Sequence, residues 1–232
     1  MFAGLLALAS ALVPTASFGR AAGLDATGHR SSGIVARELT FAAALEVTTA
    51  PFAASAERSV GEWLGNEDAL KILMSQAESA RRLDAGGDVQ QRWEVNTPID
   101  FPGMVARSST AMDITIDKQT PSLSIRSGES TTTCEGGPPW AKGLLSRVND
   151  IAKTTSSNDI EVREVAGGQT VCVSKVDLAV SLNIPTLLLP PFIPAGPFEK
   201  AGSDSLQKLL DKDMASVLDR FREGYLKFAK GE

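Results

Sequence analysis

The chain has 232 residues, 43% hydrophobic, 22% charged and 6% aromatic, with 20 Gly and 12 Pro; that is room for one medium domain plus an appendage, in the range of ordinary globular proteins. Collagen-like, disulfide-scaffold and wholly disordered classes are excluded. Lys and Arg total 23 against 28 Asp and Glu, a formal net charge of −5, the wrong sign for a protein whose main business is nucleic-acid phosphates. One His and two Cys leave little for metal chemistry, so neither a metal nor a cofactor is expected.

Residues 1–18 hold an apolar stretch from Phe2 to Val13, too short to cross a bilayer but suited to the apolar region of a signal peptide, with small residues Thr15, Ala16 and Ser17 after it. Residues 19–38 are basic and hydroxylated, with Arg20, His29, Arg30 and Arg37, the composition of an organelle transit peptide. The two pieces in series resemble the bipartite leaders of algal plastid proteins. The expectation is a leader over 1–38, removed or disordered, before a single domain over 39–232, and a plastid address, with the secretory pathway as the alternative. The only histidine falls inside this leader, so the mature protein is expected to lack the commonest general acid and base.

From Leu39 the pattern changes. Leu39, Phe41, Ala43, Leu45 and Val47 alternate with more polar or smaller residues, the period of a half-buried strand. Ala53 to Gln76 carries two short helical patterns split near Gly65, with Asn66 placed to cap the second. A strand series follows: Ser79–Leu83, a Gly86-Gly87 turn, Val89–Thr97, Met104–Asp117, Ser122–Arg126 and the start of another at Thr131–Cys134. Residues 136–158, rich in Pro, Gly, Ser and Thr, read as a loop with one short helix at 140–151. Asp159–Val165 and Gln169–Ile184 then form a hairpin about Gly167-Gly168. Four prolines break the chain over 187–197, and Leu206, Leu210, Met214, Val217, Phe221 and Tyr225 recur at helical spacing, predicting one helix of about 30 residues.

Strand, two short helices, antiparallel strands and one long terminal helix make an α+β order that resembles the helix-grip (START-like) fold, a curved antiparallel sheet of six or seven strands wrapped on the last helix. Within that superfamily the blocks Asn183-Ile184-Pro185, Leu188-Leu189-Pro190-Pro191-Phe192, Phe198-Glu199-Lys200-Ala201-Gly202-Ser203 and Gly224-Tyr225-Leu226-Lys227-Phe228 are similar to a domain-of-unknown-function family of cyanobacteria and plastids. Gly224 and Phe228 stand where that family tends to have an acid and a Trp. The family carries no established chemistry. The broader relatives imply a sterol, lipid, quinone or hormone held between sheet and helix, although fold does not fix function.

No phosphate loop, nucleophile elbow or zinc spacing occurs. Cys134 and Cys172 read as buried thiols or as a disulfide, and sequence leaves the two open. The acid pairs Asp211/Asp213 and Glu161/Glu164 read as solvated faces. Pocket lining is expected from Trp93, Met112, Ile114, Val173, Leu178, Met214, Leu218, Phe221 and Tyr225, since small-molecule pockets are mostly apolar with a few polar anchors; the same residues also make an ordinary core. Arg92, Arg107 and Arg126 are candidate anchors for a carboxylate or phosphate headgroup if they point inward.

The function expected is non-catalytic binding of a hydrophobic lipid, pigment or quinone-like molecule. The alternative is an assembly protein with a filled core that meets a membrane-associated complex through Leu188, Leu189 and Phe192. A START-like cyclase or lyase using Tyr225 or an inward carboxylate is the third. No transmembrane helix is expected in the mature chain.

Overall fold

The computed structural model describes residues 36–75, 77–84, 87, 89–101, 104–135, 152–185 and 195–232. The first strand, β1 (Ala36–Thr48), opens three residues before the expected domain boundary, and Arg37 and Glu38 already pair with Ile184 and Asn183. Its alternation is that of a one-faced strand: Leu39, Phe41 and Ala43 are buried, while Thr40, Ala42 and Ala44 are exposed. Two short helices follow. In α1 (Val60–Leu64), Ser59 and Glu62 form a reciprocal capping box; in α2 (Glu67–Leu73), the Asn66 side chain accepts from the Asp68 N–H at 2.8 Å. These caps satisfy amide donors that short helices leave orphaned.

Six further strands complete the sheet: β2 (Ser79–Arg82), β3 (Gln90–Phe101), β4 (Met104–Asp117), β5 (Ser122–Glu135), β6 (Ala152–Val165) and β7 (Gln169–Pro185). All neighbours run antiparallel in the order β1-β7-β6-β5-β4-β3-β2, which leaves β1 and β2 as edges of an open sheet. Gly167 and Gly168 turn the β6–β7 hairpin with φ of 82° and 70°, a left-handed pair that glycine adopts without steric cost. The chain ends in α3 (Ala195–Lys230). This is the helix-grip arrangement, with seven strands.

Three sequence expectations change. The segments 122–126 and 131–134 are parts of one strand, β5, and residues 152–158, expected as loop, are the first half of β6. The terminal helix is 36 residues long rather than about 30, and starts two residues before Pro197. The expected short helix over 140–151 lies outside the described residues. Among the described residues, no helix is long and apolar enough to cross a membrane.

The terminal helix meets the sheet at its β1 edge. There the free amides of Thr40, Ala42 and Ala44 donate to Glu199 Oε1, Ser203 Oγ and Gln207 Oε1 at 3.0, 3.0 and 3.3 Å. One side chain per helical turn thus meets every second residue of the strand, because i, i+4, i+8 is one helix stripe and i, i+2, i+4 one side of a strand. The backbones approach closely: a Cβ added at Gly202 would overlap the buried Phe41 ring. At the other end of the helix a Cβ at Gly224 would stand 2.8 Å from Ile72 Cδ1 and from Trp63 Cζ2, so the bare backbone at 224 is what lets α1 and α2 seat there.

The buried residues form two clusters. One joins Trp63, Leu70, Trp93, Ile114, Phe221 and Tyr225, among others, packing α1, α2 and the end of α3 on the middle of the sheet. The second joins Leu39, Phe41, Val176, Leu178, Val180, Leu206, Leu210 and Met214, packing the front of α3 on β1 and β7.

Candidate functional site

A cleft of about 50 Å³ lies along the seam of these two clusters, between the sheet, the end of α2 and the middle of α3. Leu73, Met74 and Ala77 close it from the α2 side, Val95, Met112 and Ile125 from the sheet, and Met214 and Val217 from α3. Thr97, Ser156, Ser157, Asn158 and Asp213 complete the wall. The three methionines come one from each side. Unbranched and polarizable, they are suited to a wall that changes shape.

The sheet face beneath the cleft changes character at one place. β4 presents Ile116, Ile114 and Met112 inward, then Thr110 and Ser108 with the same parity, and its register with β5 shifts between Thr110 and Met112. Past that irregularity the face is hydroxylated: Ser130 Oγ lies 2.8 Å from Ser108 Oγ and accepts from Thr110 Oγ1 at 3.0 Å. Thr97 pairs with Ser108 across β3 and β4 and is 3% exposed. Buried hydroxyls are costly unless bonded, and this network meets that demand internally for Ser108, Thr110 and Ser130.

Of the residues expected to line a pocket, Met112 and Met214 are in the cleft wall, one from each of the two clusters. Trp93, Ile114, Val173, Leu178, Leu218, Phe221 and Tyr225 are all buried and are not among the residues that wall the cleft. Trp93 donates its indole N–H to Gln91 Oε1 at 2.9 Å. The Tyr225 hydroxyl accepts from the Ser55 N–H at 2.8 Å and donates to the Arg58 carbonyl at 3.1 Å, while its ring tilts against Phe52 at 5.2 Å. That hydroxyl therefore holds the loop between β1 and α1 rather than facing a carboxylate. Sequence reasoning missed Leu73, Met74, Val95, Thr97, Asn158 and Val217; Val95 and Thr97 share the parity of Trp93, which was the available signal.

Arg92, Arg107 and Arg126 do not point into the grip. Each is one residue out of phase with an inward side chain, Trp93, Ser108 and Ile125, so the pleat sets it on the outer face. Arg92 pairs with Asp113 at 3.7 Å, Arg126 with Asp159 at 2.9 Å and Arg107 with Glu78 at 2.8 Å. The hydrogen bond from Arg107, then its charge, holds the Glu78 carboxyl below its ordinary range. With Lys175 and Glu46, paired in register beyond Asp159, the row across the sheet reads Arg92, Asp113, Arg126, Asp159, Lys175, Glu46, alternating in sign.

Cys172 is a free, buried thiol on β7, and burial pushes its pKa up to about 12. Cys134 sits near the far end of β5, whereas Cys172 pairs with Val162, beside the start of that strand, so the disulfide left open by the sequence does not form. Among the described residues no group of three His, Cys, Asp or Glu gathers as a metal site. Leu188, Leu189 and Phe192 lie outside the described residues.

No protein-family model matches the chain, and no curated protein matches it. Solved structures similar to it include the Zhui aromatase/cyclase from Streptomyces sp. R1128, at TM-score 0.49 and 14% identity over 81% of this chain and 94% of that one. Norcoclaurine synthase from Thalictrum flavum, in complex with dopamine and hydroxybenzaldehyde, is similar at TM-score 0.34 and 22% identity over 83% and 98%. Ara h 8.0201 is similar at TM-score 0.38 and 14% identity over 82% and 99%. At these scores and identities the likenesses carry no inference about ligand or activity.

Proposed function

We propose that this chain is a non-catalytic helix-grip protein of a plastid that binds a lipid, pigment or quinone-like molecule through the cleft between sheet and terminal helix. The observation that carries the proposal is the cleft itself: an apolar seam between two packed clusters, walled by Met74, Met112 and Met214 and edged by hydroxyls and an amide, which is the usual chemistry of a small-molecule site. Two groups that chemistry would have used are otherwise engaged. The Cys172 thiol, with its pKa near 12, stays protonated and weakly nucleophilic, and the Tyr225 hydroxyl is bonded to two backbone groups.

The cleft's 50 Å³ is well below the roughly 300–1,000 Å³ of sites that enclose a drug-sized ligand. A ligand therefore enters by one apolar end, with the methionines moving aside. Native mass spectrometry of the protein purified from its source should show an adduct of lipid size. Repeated absence of an adduct under gentle ionisation would overturn the proposal and favour the second reading, an assembly protein with a filled core acting through 187–198; the small volume is the observation on that side. The plastid address rests on residues 1–38 and is tested separately, by fusing them to a fluorescent reporter and by sequencing the mature N-terminus.

A further inference from the structure

An acid stands on the flank of the terminal helix that overlooks the cleft. Leu206, Asp213, Val217 and Gly224 fall within about 40° of one another around the axis of α3, because the steps between them add to nearly whole turns of about 3.6 residues. Leu206 is buried against β1 and β7, and Gly224 lies against Trp63 and Ile72 of the short helices. Between these two anchored points Asp213 is half-buried and joins Met214 and Val217 in the cleft wall. An acid there gives up apolar burial, and departures of this kind from the apolar pattern are expected where a residue serves a site.

Among the described lining residues Asp213 is the charged one, and nothing described balances it. Other acids of α3 are engaged: Asp204 pairs with Lys200 at 3.6 Å, and Asp211 accepts from Gln207 at 2.9 Å. Asp213 has no such partner among the described residues. Arg220, two turns further along the same flank, is exposed and donates to the Ser216 carbonyl at 3.4 Å. The arginines of the sheet, Arg92, Arg107 and Arg126, are on its opposite face in ion pairs of their own. A carboxylate bordered by hydrocarbon attracts a cation more strongly than one in bulk water, because the local dielectric is lower.

We propose that Asp213 is the counter-ion of the cleft, and that the ligand it selects is an amphipathic cation, a protonated amine carried on an apolar body. This rests on the binding function proposed above and specifies the ligand class. The ammonium donates to the Asp213 carboxylate, which is exposed enough for water to complete the remaining bonds of both ions. The apolar body enters among Met74, Met112 and Met214, whose unbranched side chains can make room for it. A neutral alcohol gains only the apolar part of this, and a carboxylate or phosphate headgroup would meet like charge.

The test uses octylamine, octan-1-ol and octanoate, matched in chain length, titrated into the full chain at pH 7, where the amine keeps its proton. Amide chemical shifts are the readout. The amine should bind about tenfold more tightly than the alcohol, the effect of one half-buried ion pair, and octanoate should bind most weakly. Asp213→Asn should bring amine and alcohol within about twofold of each other, because it removes the charge and keeps the shape. Asp211→Asn makes the same change of net charge at an exposed position and should leave the gap as it was. In the unsubstituted protein, added salt should narrow the gap, which needs no variant to fold. An amine that binds no better than the alcohol, or a gap that Asp213→Asn leaves unchanged, would overturn the inference while leaving the binding function standing; so would a gap that Asp211→Asn closes equally. Failure of all three probes to shift any cleft amide, in protein whose spectrum is otherwise folded, would overturn the binding function and this inference with it.

Discussion

Replacing Gly202 by alanine tests the contact that sets the height of the terminal helix over the sheet. The new methyl would overlap Phe41 Cδ1 and stand 2.5 and 2.9 Å from its Cε1 and Cγ, where carbon atoms normally keep about 3.5–4.0 Å. The ring is 2% exposed and packed within the second cluster, so the helix must lift. Lifting strains the Ser203 bond to the Ala42 amide at 3.0 Å and its neighbours at Thr40 and Ala44. Against this, alanine is about 1 kcal/mol better than glycine within a helix. Overpacking a core costs about 1–3 kcal/mol and each lost backbone bond about 0.5–1.5, so the net loss should be about 2 kcal/mol. For a domain of this size that lowers Tm by about 4–8 °C, with the urea midpoint falling at constant m. In a Phe41→Leu background the methyl has room, and the cost of Gly202→Ala should drop below about 1 kcal/mol, a measurable coupling between the two sites. A Gly202→Ala protein as stable as the parent, or a cost of the same size in the Phe41→Leu background, would refute the close approach.

Tyr225→Phe should cost about 1–3 kcal/mol, because the Ser55 amide and Arg58 carbonyl lose their partner, and it should speed hydrogen exchange at Ser55; unchanged protection there would show that the hydroxyl does not hold the loop. Ser203→Ala should cost less, about 0.5–1 kcal/mol, since the Ala42 amide it leaves lies at an exposed position where water can replace the bond; a loss above about 2 kcal/mol in urea titration would contradict that. Cys172 should resist iodoacetamide at pH 8 in the native protein and react on unfolding, with the site read by peptide mass mapping. Its raised pKa also has a thermodynamic sign. The folded state keeps a proton that the unfolded chain releases, so this contribution is intact below about pH 9 and is lost as pH rises towards about 12. Cys172→Ala should flatten the decline over that window.

The parts of the fold that announced themselves were those with a clean apolar period. Leu39, Phe41 and Ala43 gave away β1, and the stripe from Leu206 to Tyr225 gave away α3, because in both elements one face is buried in hydrocarbon. The middle of β5, which joins 122–126 to 131–134, and the first half of β6 were missed for a reason tied to the site. There the inward residues are Ser130, Ser156 and Asn158, so hydroxyls replace the apolar half of the alternation and the segments read as loop. The candidate lining failed differently. Buried residues were legible as buried, but a seam between two clusters depends on where α2 ends relative to α3, and no local pattern encodes that. The arginines were a matter of parity alone: Arg92 beside Trp93 and Arg126 beside Ile125 must point the other way on a pleated strand.

The meeting of β1 with α3 also dictates when this domain can finish folding. β1 bonds to β7 and, through the side chains of Glu199, Ser203 and Gln207, to the terminal helix. Those last contacts span 159 to 163 residues of chain. The first strand to leave the ribosome therefore waits for the last helix, and until then its outer edge, even once β7 has paired with the other, offers unpaired amides to any other extended chain. Closing so long a loop is slow compared with local helix or hairpin formation. The opening turns of α3 act as the latch on a clasp, and the domain closes no earlier than the emergence of that helix.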